Sequence, residues 1–503
     1  MLLLGIDIGT SSIKVSVVDA QSQLCVTSAQ YPESEAEIIA LQPGWAEQSP
    51  DQWWEFVKQA ILKCHASGLY RSEEIAAIGI AYQMHGLVLV DKNQHVLRNS
   101  IIWCDSRAVE IGNNAFKKIG QQQSLTHLLN SPGNFTASKL AWVKENEPAI
   151  YERIHNVLLP GDFIAMKMTG DITTTISALS EGVFWDFREN QISTDVTEYF
   201  GFHASLFPAI KPVFSTHGLL NEKTASRLQL KAGIPVTYKA GDQPNNALSL
   251  NVLKPGEVAA TAGTSGVIYG VSDELCFDQE SRINSFAHIN YMPDLVRIGV
   301  LLCINGTGIF NRWIKNIVGA NYSYAGLNEM AASVSAGSDG LMALPFGNGA
   351  ERIFNNRIIG AHFHQIDLNL HSTAHLVRAV QEGIAFSFRY GLDIMRQNGM
   401  SPSVVRAGKS NLFLSEVFTQ AFANVNNVAV EFYEGDGSYG AAVGAGIGAG
   451  IYKNPEEAFQ SRKPVGTAEP DNARRFDELY DQWCRVLSNH LSGYSLNQKL
   501  KAF

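Results

Sequence analysis

The sequence predicts an α/β protein of two large domains with duplicated architecture and a cleft between them. The chain has 503 residues, well beyond the roughly 250 to 300 at which a single hydrophobic core stops growing. A segment of one build, apolar strand, Gly-Thr-Ser turn, apolar strand, occurs twice and far apart, around Gly9-Thr10-Ser11 and around Gly263-Thr264-Ser265-Gly266. Internal repetition on that scale points to a duplicated fold. The intervening chain alternates strand-like and helix-like periods, as mixed α/β domains do.

Residues 2–8 read Leu-Leu-Leu-Gly-Ile-Asp-Ile, Gly9-Thr10-Ser11-Ser12 supplies a turn, and residues 13–19 alternate apolar with polar. This pattern predicts a β-hairpin with a small polar tip. A helix is expected over 51–65, with Trp53 and Trp54 packed in the core, then a strand over 75–81 and a helix over 137–146. The second half opens on the hairpin at 257–269 and continues with a helix over 373–397 and a Gly/Ala-rich helix over 438–450. The domains are expected at 1–249 and 250–503.

Composition excludes several classes. Hydrophobic residues make up 45% and charged residues 17% of the chain, ordinary for a folded protein with substantial cores. The net charge is −9 with Lys and Arg scattered, so no basic stripe addresses nucleic acid or an anionic membrane. The six cysteines show no Cys-x-x-Cys pair or zinc-type grouping, and a reducing cytoplasm is expected. The N-terminus reaches Asp7 without the features of an export signal. The apolar run 439–451 is shorter than the roughly 20 residues of a membrane span.

The two tips carry the chemistry. Glycines let a backbone approach a bulky anion, and the N–H groups and hydroxyls of Gly9, Thr10, Ser11, Gly263, Thr264 and Ser265 can donate to phosphate oxygens. Asp7 beside the first tip can hold Mg²⁺ directly or through water. An ordinary hairpin turn uses the same residue types, and the repetition is what favours phosphate. Asp242, in Gly241-Asp242-Gln243, follows an apolar run and precedes the second tip, where a carboxylate could face both domains and accept a proton during phosphoryl transfer. Two segments mislead. Ala407-Gly408-Lys409-Ser410 lacks the first glycine of a P-loop, and the glycines of 444–450 have the wrong spacing for a dinucleotide fingerprint, so close helix packing is expected there.

In order and spacing these motifs resemble the FGGY carbohydrate kinases, a family of the actin/hexokinase-like, ribonuclease H-like ATPases, along nearly the whole chain. Gly5-Ile6-Asp7-Ile8-Gly9-Thr10-Ser11 is similar to the first phosphate loop and Phe135-Thr-Ala-Ser-Lys139-Leu-Ala-Trp142-Val143 to a family signature. Gly241-Asp242-Gln243 resembles the segment of the catalytic aspartate, Ala262 to Gly266 the second phosphate loop, and Leu344-Pro345-Phe346 with Gly349-Ala-Glu351-Arg352 a further family segment. Gln83-Met84-His85-Gly86, Trp103-Cys104-Asp105-Ser106-Arg107 and Gln42 to Gln48 look most like the xylulokinase branch.

The resemblance implies ATP and Mg²⁺ as cofactors and D-xylulose as the sugar, with Asp242 as catalytic base and Asp7 and Asp242 at the metal. It implies Met84, His85, Trp103, Asp105, Asp242 and Gln243 around the sugar, bound by the N-terminal domain. It places Gly306, Gly408 and Asn411 with the two tips around the nucleotide, whose adenosine rests on the C-terminal domain. Here the family's Gly-Gly-Gly-Ala loop reads Ala407-Gly408-Lys409-Ser410-Asn411, and the spacing to Gln420 is about two residues longer, which alters the adenosine contacts. Ribulokinase, gluconokinase, glycerol kinase or fuculokinase activity, a catalytically silent sugar sensor and a non-sugar ATPase of the same superfold are the alternatives. A homodimer is a further implication.

Overall fold

The first hairpin forms as its alternation predicts. In the computed structural model, which describes residues 1–318 and 321–500, β1 (Leu2–Ile8) and β2 (Ile13–Asp19) pair antiparallel from Leu2 opposite Asp19 to Ile8 opposite Ile13. β3 (Cys25–Tyr31) continues the antiparallel run beyond β2. On the other side of β1 lie β4 (Ile75–Tyr82), β5 (Phe214–Leu219) and β6 (Pro235–Gly241). β4 and β6 are parallel to β1 and β5 closes the edge, giving the order β5-β6-β4-β1-β2-β3. The parallel strands are buried almost throughout, which is why they read as continuous apolar runs.

The second sheet uses β7 (Glu257–Ala262), β8 (Gly266–Ser272), β9 (Asn284–Ala287), β10 (Ile298–Ile304), β11 (Val404–Gly408), β12 (Val430–Tyr433) and β13 (Gly466–Ala468). Its order is β9-β10-β8-β7-β11-β12-β13. The runs β3-β2-β1-β4-β6 and β10-β8-β7-β11-β12 share one pattern, three antiparallel strands followed by two parallel to the first. The architecture is therefore duplicated, as the paired tips require.

The expected helices form at Pro50–His65, Thr136–Asn146, Thr373–Gln397 and Gly437–Gly448. Ser49 caps the first by accepting from Gln52 N–H, with proline in the first turn, and Trp53 and Trp54 are buried.

The glycines of helix Gly437–Gly448 have a tertiary purpose. This helix follows β12 of the second sheet yet lies on the first, and a Cβ on Gly5 or Gly79 would overlap the carbonyls of Ser438 or Ala441, as one on Gly448 would overlap that of Thr237. Helix backbone and sheet backbone meet with no side chain between them. The helix that follows β6, Asp242–Ser249, packs in turn against this one and against β7 and β8.

A second joint lies at the edge strand β9. Asn130 Nδ2 donates to Ser285 O (2.6 Å) and Asn130 Oδ1 accepts from Ser285 N–H (3.1 Å). Ser177 Oγ donates to Ala287 O and Ser180 Oγ accepts from Ala287 N–H, both at 2.9 Å. Side chains of the first half thus stand in for a neighbouring strand and cover the edge. No helix among the described residues is long and apolar enough to cross a membrane.

Candidate active site

The first tip is braced from its own domain. Gly9 N–H donates to Ser12 O (3.1 Å), which closes the turn. Thr10 is held at both ends: Gln48 Nε2 donates to its carbonyl (2.8 Å), while its hydroxyl donates to Gln83 Oε1 (3.2 Å) and accepts from Trp103 Nε1 (2.9 Å). Gln48 in turn accepts from Gln83 Nε2 and Trp53 Nε1, so the tip is tied to the first helix and to the end of β4. Ser11 is exposed at the apex.

Asp7, near the end of β1, packs against Gly437 at the start of the Gly-rich helix, where a Cβ would overlap its carboxylate. Burial and the nearby Asp436 push its carboxyl up to about 6, against the pull of Lys14. Asp242 opens helix Asp242–Ser249 directly after β6. Burial and the charge of Asp7 push it up to about 7, despite hydrogen bonds from the Gln243 backbone and side chain. Two half-buried carboxyls that raise the cost of each other's charge form a hard-oxygen site suited to a divalent cation. Mg²⁺ commonly takes one or two protein carboxylates and completes its shell with water and phosphate, and this donor set fits it.

The residues expected around the sugar fall into two groups. Met84 and His85 follow β4, and Met84 packs on the residue before Asp242, its Cγ 2.6 Å from where a Cβ on Gly241 would sit. His85 Nδ1 donates to Glu181 O (2.9 Å), which leaves Nε2 as the acceptor. Burial pushes this ring down to about 3, so it is neutral at working pH. Its ring meets Phe135 edge-on (centroids 4.9 Å) and Phe286 of the second sheet (5.5 Å), so it bridges the two halves. Gln243 is half-buried beside Asp242, and Trp103 is 53% exposed while bonded to Thr10.

Asp105 belongs elsewhere. It is fully buried, and its carboxylate accepts from Arg107 N–H (2.8 Å), from the Arg107 guanidinium (2.7 to 3.0 Å) and from Ala46 N–H (2.6 Å). Those bonds occupy both oxygens, so Asp105 shapes the loop and does not meet a sugar itself. Arg107 completes that role by lying 3.8 Å over the Trp45 ring.

The second tip faces a cavity of about 490 Å³ lined by Gly263, Thr264, Gly308, Asn311, Arg312, Tyr324, Asn328, Asn411 and Ser415, among others. Gly308 N–H donates to Gly263 O and Ile309 N–H to Thr264 O, both at 3.0 Å, so the start of helix Gly308–Val318 fixes the tip. Asn411 lines the cavity. Gly408 ends β11 three residues earlier and is not in the lining. Gly306 also departs from expectation: a Cβ there would overlap Pro345 O, and its N–H donates to Glu351 Oε1 (3.0 Å), so it packs on the Leu344-Pro345-Phe346 strand while Gly308 lines the cavity. Asn311, Arg312, Tyr324 and Asn328 carry no motif and were not legible as lining residues.

Residues 2–249 match the N-terminal domain, and residues 258–450 the C-terminal domain, of the FGGY family of carbohydrate kinases. The chain belongs to that family. It is a carbohydrate kinase, a phosphotransferase, and the two-domain architecture matches solved structures of such enzymes. Among curated relatives, a xylulose kinase of Bacillus subtilis is 28% identical over 100% of this chain and 99% of its own, and one of Escherichia coli strain K12 is 29% identical over 91% of each. A structure from Brucella ovis described as a xyloylose kinase superposes with a TM-score of 0.85 at 27% identity, covering 97% of this chain and 98% of the other. A gluconate kinase from Lactobacillus acidophilus reaches 0.87 at 20% identity over 98% and 99%, a likeness of fold alone.

Proposed function

We propose that this kinase transfers the terminal phosphoryl group of ATP to a primary hydroxyl of D-xylulose, giving D-xylulose 5-phosphate and ADP. The observation that carries the chemistry is Asp242, a carboxyl at the start of a helix, pushed up to about 7 beside Asp7 and next to Gly241, on which Met84 packs. A base with that proton affinity can take the hydroxyl proton as the oxygen attacks phosphorus and release it to water afterwards. The choice of sugar rests on the full-length likeness to relatives named xylulose kinase.

Each part of the site has a role in this reading. His85 Nε2 accepts from a sugar hydroxyl, and Gln243 and Trp103 complete the polar wall. Gly9, Thr10, Ser11, Gly263, Thr264 and Ser265 orient the phosphates, while Asn411 and the rest of the 490 Å³ cavity take the adenosine. Asp7 and Asp242 would hold Mg²⁺, which would supply neutralising charge to the phosphates. Catalysis then comes mostly from positioning and charge complementarity.

The test is ADP release with MgATP against D-xylulose, D- and L-ribulose, L-fuculose, gluconate and glycerol, with a no-sugar control. Turnover confined to D-xylulose is expected. Preference for another member would replace the sugar and keep the chemistry, and sugar-independent hydrolysis would overturn the reading.

A further inference from the structure

The turn that carries Met84 and His85 is held from behind. His85 has φ of 62°, a left-handed conformation that costs a residue with a side chain and persists only where the surroundings impose it. Here its N–H donates to Glu181 Oε1 (3.3 Å), its Nδ1–H to Glu181 O (2.9 Å), and its carbonyl accepts from Lys139 Nζ (2.9 Å). Glu181 is the last residue of helix Ile176–Glu181 and is 1% exposed.

The other carboxyl oxygen of Glu181 faces the catalytic junction. Oε2 has no protein hydrogen-bond partner and lies 2.6 Å from where a Cβ on Gly241 would start, as does Met84 Cγ. One buried carboxyl therefore touches both walls of the pocket, the Met84-His85 turn and the residue before Asp242. Gly241 has to be glycine to admit it.

Its surroundings disfavour a charge. The nearest ammonium, Lys139, donates to the carbonyls of His85 and Ile102 and not to Glu181. A buried carboxylate with no bonded cation is expensive. Burial, with the negative charges of Asp242 and Asp162, pushes the Glu181 carboxyl well above its usual range.

We propose that Glu181 is a positioning residue, a buried carboxyl that sets the separation between His85 and Asp242 and so the fit of the sugar. The proposal rests on the reading that these two walls bound the sugar pocket. Glu181 touches no reacting atom, so its effect appears in sugar affinity rather than in the handling of ATP.

Two variants test it in full-length enzyme. Glu181→Gln keeps the shape of the side chain and an acceptor for His85 N–H; it is expected to hold sugar KM and kcat within about threefold and to leave the pH profile in place. Glu181→Ala is expected to raise sugar KM about tenfold or more with ATP KM changed less than about twofold. Should Glu181→Ala not fold, Glu181→Asp, one methylene too short to reach both walls, is expected to show the same split. An unchanged sugar KM on truncation, an equal rise in both KM values, or a Gln variant that behaves like the Ala variant would overturn the proposal. Failure of the functional reading looks different: wild-type enzyme would then be silent on every ketose.

Discussion

Asn130 makes both hydrogen bonds that a neighbouring strand would make to Ser285. Its amide donates to the Ser285 carbonyl at 2.6 Å and accepts from the Ser285 N–H at 3.1 Å. Both residues are buried, so neither backbone group has water as a substitute. Asn130→Ala should destabilise the protein by about 2 to 3 kcal/mol, the cost of stranding two buried polar groups, read as a lower urea midpoint. A loss under about 0.5 kcal/mol would mean that the edge of β9 is satisfied another way.

Asp242→Asn removes the base and keeps the shape. Turnover is expected to fall by about 10² to 10⁴, while sugar binding measured calorimetrically without ATP stays within a few-fold of wild type. Near-normal turnover would remove Asp242 from the mechanism.

The same carboxyl predicts a pH dependence. A base with a proton affinity near 7 works once it is deprotonated, so kcat/KM should rise from pH 5.5 and level off above about 7.5. A profile flat from pH 5.5 to 8 would contradict this.

Stability should run the opposite way. Unfolded, Asp7 and Asp242 lose their protons near 3.8, whereas folded they hold them to about 6 and about 7. Between those limits the folded protein binds more protons than the unfolded chain, so their contribution to stability is full below pH 4 and declines as pH rises through 7. Asp242→Asn should therefore be the more stable protein at pH 8, by up to about 4 kcal/mol, with the gain vanishing near pH 4. Equal melting temperatures at pH 8, measured without nucleotide or metal, would count against the raised affinity.

Gly308→Ala separates the nucleotide side from the sugar side. The added methyl would overlap Gly263 O, and the second tip would have to shift. ATP KM should rise about tenfold or more while sugar affinity is unchanged. An unaffected ATP KM would mean that this tip does not hold the phosphates.

The contrast between Asp242 and Glu181 shows what kind of residue the sequence makes visible. Asp242 stands between an apolar strand and a polar helix start, and Gly241-Asp242-Gln243 is a recognisable local pattern. Ser180-Glu181-Gly182 has none, because its importance comes from contact with Gly241, far along the chain. Asp105 and Gly306 fail for the complementary reason. Each sits in a motif that is intact, yet the Asp105 oxygens are taken by Arg107 and Ala46, and Gly306 is pressed on Pro345 while its neighbour Gly308 faces the cavity. A motif names a short stretch of chain, but only packing decides which of its side chains looks outward.

By itself the sequence determined the local structure and its duplication. Strand alternation, turn residues and helix periodicity act over a few neighbours, so both hairpins, the capped helix Pro50–His65 and helix Thr373–Gln397 could be read directly. The glycines of the late helix likewise announced close packing. Only the tertiary structure decided what they pack against, the sheet of the other domain, and only it brought Asp7, Asp242, His85 and Glu181 to one junction. The physical reason is range: hydrogen-bond periodicity is fixed within a few residues, whereas burial, charge coupling and the room for one methyl group depend on atoms that meet only after the chain has folded.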